Sequence, residues 1–173
     1  MSAKVPKFSN VSKLQLDYNA FSESGRKWLA NAIAGMVCAD GVVAKEELRF
    51  LEHAIQLLNN DKELVYDLVA RIRARNVPEM VQYREADRIL AYKMIMLIAH
   101  TAVSDLLCNN AEEKYLRNAA AKLGFDKIFC NELLEWARDL LEYDRLEDKL
   151  RISVAQKEEA LLKAALTSDV VYN

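Results

Sequence analysis

Glycine and proline are scarce in this chain, four and two among 173 residues. A fold built from many strands and tight turns needs more of both, so β-rich architectures are excluded and an all-α protein is expected. Long apolar runs are missing as well. The most hydrophobic stretch, Met94 to Val103, is ten residues long and contains His100, half of what crosses a bilayer. It suits a buried helix, and direct membrane insertion is not expected. The first residues carry no apolar segment of a secretory signal, which points to a cytoplasmic protein. Neither sign of charge is in excess: 24 basic and 26 acidic side chains leave a net charge of -2, which gives nucleic-acid binding no support. The three cysteines are odd in number and form no CxxC pair, so a reducing compartment and core packing are expected of Cys38, Cys108 and Cys130. A Gly-rich phosphate loop, a nucleophile elbow and an HExxH motif are all lacking.

What the chain does have is helix-forming composition, 52% hydrophobic residues among many Ala, Leu, Glu, Lys and Arg. Its length suits one compact domain. Apolar residues recur at three- and four-residue steps in about seven segments. The first carries Trp28, Leu29, Ala32, Ile33, Met36 and Val37, is apolar nearly all round, and is expected to be central, with Ser22 or Ser24 as its cap. Gly41 ends it, and a second helix starts near Ala44 with Glu46 and Glu47 in its first turn. Asp61 caps a third helix that reaches about Arg75, after which RARNVPEMVQYREADR forms a solvated seam. A fourth helix carries Ile89 to Thr101 and ends at Asp105, a fifth opens with Glu112 and Glu113 and closes at Gly124, and Asp126 caps a sixth. The sixth is expected to kink near Glu142 to Asp144, and a separate terminal helix to run from Gln156 to Leu166. Residues 1–20 read as a flexible arm, 21–167 as the helical domain, and 168–173 as a frayed end. His100 and the aromatic residues at helical spacings are expected in the core.

The turn between the first two helices recurs. Asp105 falls 65 positions after Asp40, Glu112 after Glu47, Leu116 after Leu51 and Leu123 after Leu58. A carboxylate that ends one helix and another that opens the next supply oxygen ligands of the kind that suit calcium or magnesium. The twelve-residue loop of an EF-hand, with its alternating acidic positions, is missing. Helix capping accounts for the same residues without a metal: Asp40 terminates a helix, and Glu46 and Glu47 complement the dipole of the next.

The segment GMVCADGVVAKEELRFLEHAIQLL, with its weaker copy IAHTAVSDLLCNNAEEKYLRNAAAKLGF, resembles the TerB-like family. That family is named for a tellurite resistance protein and is shared by part of some DnaJ-like proteins. Its hallmark is a helix ending in Ala-Asp-Gly and a Glu opening the next helix. The resemblance covers about Trp28 to Trp136 and implies two similar helical halves related by a pseudo-twofold. It also implies a divalent-metal site drawn from Asp40, Glu47, Asp105 and Glu112, with Glu46 and Glu113 as neighbours. The second copy departs from the hallmark, with Ser104-Asp105-Leu106 in place of Ala-Asp-Gly and Asn109-Asn110 ahead of the glutamates.

Three classes of function follow. The first is a non-enzymatic module that binds a divalent cation, a protein partner or both, in a stress-response or membrane-associated complex, with a homodimer among the assemblies open to it. The second is an adaptor that keeps the fold and has lost the metal. The third, ranked last, is a metal-dependent hydrolase, disfavoured because neither histidine is placed to assist. Tellurite chemistry does not follow, since the cysteines are too dispersed for it.

Overall fold

In a computed structural model, the described residues are 17–43, 45, 47–59, 61–77, 79–104 and 108–167, with side chains described to 164. They are all-helical, with no strand among them. A 3-10 turn, Tyr18–Ala20, precedes six α-helices: α1 Glu23–Val37, α2 Leu48–Leu57, α3 Lys62–Arg73, α4 Arg88–Ala102, α5 Asn110–Lys122 and α6 Lys127–Thr167. About seven had been expected. The difference lies in α6, a single helix of 41 residues that absorbs both the kink expected at Glu142 to Asp144 and the separate helix expected from Gln156. Neither Gly nor Pro interrupts 127–167, so no residue there breaks the backbone ladder.

The centre is made by α1 and α4, which pack against each other. Both are apolar around most of their circumference: Leu29, Ala32, Ile33 and Ala34 of α1 and Met94, Ile95, Leu97 and Ile98 of α4 are fully buried. Burying each large side chain contributes about 1.5–3 kcal/mol, which explains why these two helices, rather than the more polar ones, take the interior. Around them, α2 and α3 pack on α1, while α5 and α6 pack on α4.

Capping chemistry sets most helix starts. Ser22 accepts from the Gly25 amide, Asp61 from Glu63 and Leu64, Asp87 from Leu90, and Asp126 from Phe129. Helix ends use left-handed residues: Gly124 has φ 79° and Asn59 φ 53°, and Arg75, which carries a Cβ, has φ 51°. At Gly124 the amides of 124 and 125 return to the carbonyls of Ala121 and Ala120, closing a Schellman motif.

The seam of residues 74–87 is mostly exposed, yet it is fastened. Met80 and Tyr83 are buried, the Trp28 indole donates to the Val81 carbonyl at 2.8 Å, and the Tyr83 amide donates to the Lys122 carbonyl at 3.0 Å. Tyr83 also stacks on Trp28, with ring centroids 5.9 Å apart. At the other end of the chain, the Tyr18 hydroxyl hydrogen-bonds His53 Nδ1 on α2 at 2.5 Å. Packed structure therefore begins before Phe21, inside what the sequence suggested was arm. No helix among the described residues is long and apolar enough to cross a membrane.

Candidate functional site: an acidic turn hydrogen-bonded to the start of α5

After α1, Cys38 caps the helix and the chain turns through Ala39, Asp40 and Gly41, whose φ of 81° is the left-handed geometry that glycine adopts without strain. Asp40 is exposed and both of its carboxylate oxygens are engaged. Oδ1 accepts from the Val42 amide at 2.8 Å, and Oδ2 accepts from Asn109 Nδ2 at 3.1 Å. The second of these bonds joins the turn of the first half to the start of α5 in the second, across 69 positions of sequence.

Asn109 is the centre of a capping box. Its Oδ1 accepts from the amides of Ala111 and Glu112, and its own amide donates to Glu112 Oε2 at 2.8 Å. Glu112 is buried, at 2% exposure, and is held by this backbone pairing. Glu113 faces elsewhere: its carboxylate forms a bidentate pair with Arg138 of α6, with the shortest contact 2.8 Å.

Glu47 is buried to the same extent, at 2%. It occupies the position just before α2 with helical backbone angles, one residue ahead of the helix rather than within its first turn. Its charge lies near Cys38. Burial pushes the Cys38 thiol above its ordinary pKa, Glu47 pushes in the same direction, Arg75 opposes, and Asp40 adds a smaller upward push. A raised thiol pKa lowers the thiolate fraction and with it the nucleophilicity of Cys38. Burial, with Cys38 adding, also raises the Tyr115 phenol well above its ordinary value.

Two of the six expected ligands, Glu46 and Asp105, lie outside the described residues. Of the other four, Asp40 and Glu112 meet through Asn109, Glu47 approaches the same region beside Cys38, and Glu113 is bound to α6. Among the described residues no three His, Cys, Asp or Glu side chains are grouped to hold a metal ion. Each engaged carboxylate oxygen keeps a second lone pair, so Asp40 retains the capacity to ligate a hard cation.

Two residues of this site escaped the sequence reading. Asn109 carried a usable signal, since Asn-x-x-Glu ahead of a helix is a capping-box pattern. Arg75 carried none. It sits at the end of α3, and its guanidinium lies 3.5 Å from where a Cβ on Gly41 would be, placing a cation over the acidic turn. The surface around the turn is apolar, with Val42, Val43 and Leu48 exposed at 64%, 43% and 50%. The cysteines also differ from expectation: Cys130 is buried, whereas Cys38, at the end of α1, and Cys108 are half-buried.

No family model matches the chain, and neither a curated protein nor a solved structure is significantly similar to it. The likeness to TerB-like proteins therefore rests on the motif residues themselves.

Proposed function

We propose that this protein is a non-enzymatic, TerB-like helical module that works by binding, with its joined acidic turns as the binding surface. The observation that carries this reading is the Asn109–Asp40 hydrogen bond, which ties the first turn to the start of α5. Around it lie an exposed carboxylate, the Arg75 cation and the apolar side chains of Val42, Val43 and Leu48. Exposed apolar side chains beside charged ones are the ingredients of a protein interface, whose core is apolar and whose rim is polar. In this reading a divalent cation, calcium or magnesium, is held by Asp40 and Glu47 together with Asp105 and Glu112. The two halves are related by a pseudo-twofold, and the complex served belongs to a stress response or a membrane-associated assembly.

A second reading, the metal-free adaptor, is favoured by the capping box, which gives the Glu112 carboxylate a structural task that needs no cation. Calorimetric titration with calcium, magnesium and manganese separates the two. Cation binding by the wild type that disappears in Asp40→Asn/Glu47→Gln supports the first reading. If no cation binds at physiological concentrations, the carboxylates are caps and partner contacts.

A further inference from the structure

The last buried residue of α6 is Leu141; from Glu142 to Ala164 none is buried. At 1.5 Å per residue, roughly 35 Å of helix extends past the point where α4 and α5 cover it. A helix of that length gains little from propensity alone, and most helices are stabilised by packing an apolar face. Such a face is present. Tyr143, Leu146, Leu150, Val154 and Leu161 are exposed at 64%, 55%, 66%, 46% and 70%. At 100° per residue they fall within an arc of about 80°.

We infer that this stripe is covered by the same stripe of a second copy of this chain, running antiparallel about a twofold at Ile152. Position by position, Tyr143, Glu147, Leu150, Val154, Lys157 and Leu161 recur at alternating steps of four and three, the spacing of a coiled-coil seam. Within that seam the two charged positions, Glu147 and Lys157, select the partner. Turned antiparallel about position 152, Tyr143 meets Leu161 of the second copy, Leu150 meets Val154, and Glu147 meets Lys157, so every layer is apolar on apolar or acid on base. A parallel pair in register would instead set Glu147 on Glu147 and Lys157 on Lys157, a repulsive arrangement at both polar layers. An unrelated helix would have to reproduce the same length and the same placement of opposite charges, which a second copy does automatically.

Leu141 lies roughly 16 Å along the helix from the twofold, which sets the two helical bodies toward opposite ends of the seam. Covering both stripes removes on the order of 1,200 Å² from water, the lower end of what stable specific interfaces bury. The dimer is therefore expected to exchange with monomer rather than to be permanent. This assembly is independent of the acidic turns, which lie in the body.

The test is sedimentation equilibrium of the full chain over a wide micromolar range, with helicity followed by circular dichroism. A monomer–dimer equilibrium is expected, with Leu150→Glu monomeric at every concentration and still helical in its body. Glu147→Lys and Lys157→Glu should each weaken the dimer about tenfold or more, and the double exchange should restore it. A wild type that stays monomeric, whether because residues 1–16 or nothing covers the stripe, overturns the inference. So does a dimer indifferent to Leu150→Glu. A double exchange that fails to restore association overturns the antiparallel register.

Discussion

The first three helices and the last three share a spacing at several starts and finish differently. Helix α1 begins at Glu23 and α4 at Arg88, and α3 begins at Lys62 and α6 at Lys127, each pair 65 positions apart. The caps Ser22 and Asp87, and Asp61 and Asp126, keep the same interval, as do the left-handed residues Asn59 and Gly124 and the buried carboxylates Glu47 and Glu112. The correspondence breaks elsewhere. Helix α2 begins at Leu48 with no side-chain cap, whereas α5 begins at Asn110 behind the Asn109 capping box. Gly35 on α1 corresponds to His100 on α4, and the stop at Arg75 to Leu140, where α6 runs on. Side-chain caps are thus kept at the starts of α1 and α4 and of α3 and α6, and lost between α2 and α5.

The largest test addresses Gly35. A Cβ there would lie 1.9 Å from the Tyr115 hydroxyl oxygen and 2.6 Å from its ring, while Tyr115 donates to the Ala32 carbonyl at 3.1 Å. Gly35→Ala must push the ring away, and a loss of about 3 kcal/mol in urea unfolding is expected from such overpacking. A loss below about 1 kcal/mol would show that the crossing of α1 by α5 is loose there.

His100 provides the next test, on the opposite half. It is buried, with its ring edge-on to Trp136 at 5.2 Å, and burial, with the Arg49 guanidinium adding, pushes its pKa down from 6.5 to about 4. Folding therefore keeps it neutral while the unfolded chain protonates. Its share of stability is full above pH 6.5 and is lost as pH falls from 6.5 toward 4, about 3 kcal/mol in all. Burial lowers His53 in the same direction. Stability measured against pH should fall less steeply across that window in His100→Gln than in the wild type; equal slopes would place the titration elsewhere.

The smallest effects concern the helix ends. Arg75 holds a left-handed backbone with a Cβ, whereas Gly124 does so without one. Arg75→Gly should raise stability slightly, by about 0.5 kcal/mol, and Gly124→Ala should lower it by about 1 kcal/mol. Thermal unfolding of both variants reads the pair, and equal signs would sink the comparison.

Much of this fold was legible because capping is local: Ser22, Asp61 and Asp126 act where their spacing indicated. The start of α2 was not, because Glu47 lies one residue outside a helix whose first residue is Leu48. The unbroken run of α6 was missed because so long a helix suggested a kink near Glu142 to Asp144, although no Gly or Pro is there to make one. In the site, the acidic residues could be picked from the 65-residue recurrence, but their grouping could not. That Asp40 reaches Asn109 follows from how α1 and α5 cross, and the crossing depends on Gly35, whose missing side chain leaves no pattern in a sequence.

The fastened seam has an implication of its own. Counted by the same interval, residues 74–87 correspond to 139–152, which lie inside α6. One stretch of the repeat is therefore a clasp in its first appearance and a rod in its second. The clasp grips Trp28 at the head of the first half and Lys122 at the tail of α5. Lifting it away would break both hydrogen bonds, one with α1 and one with α5.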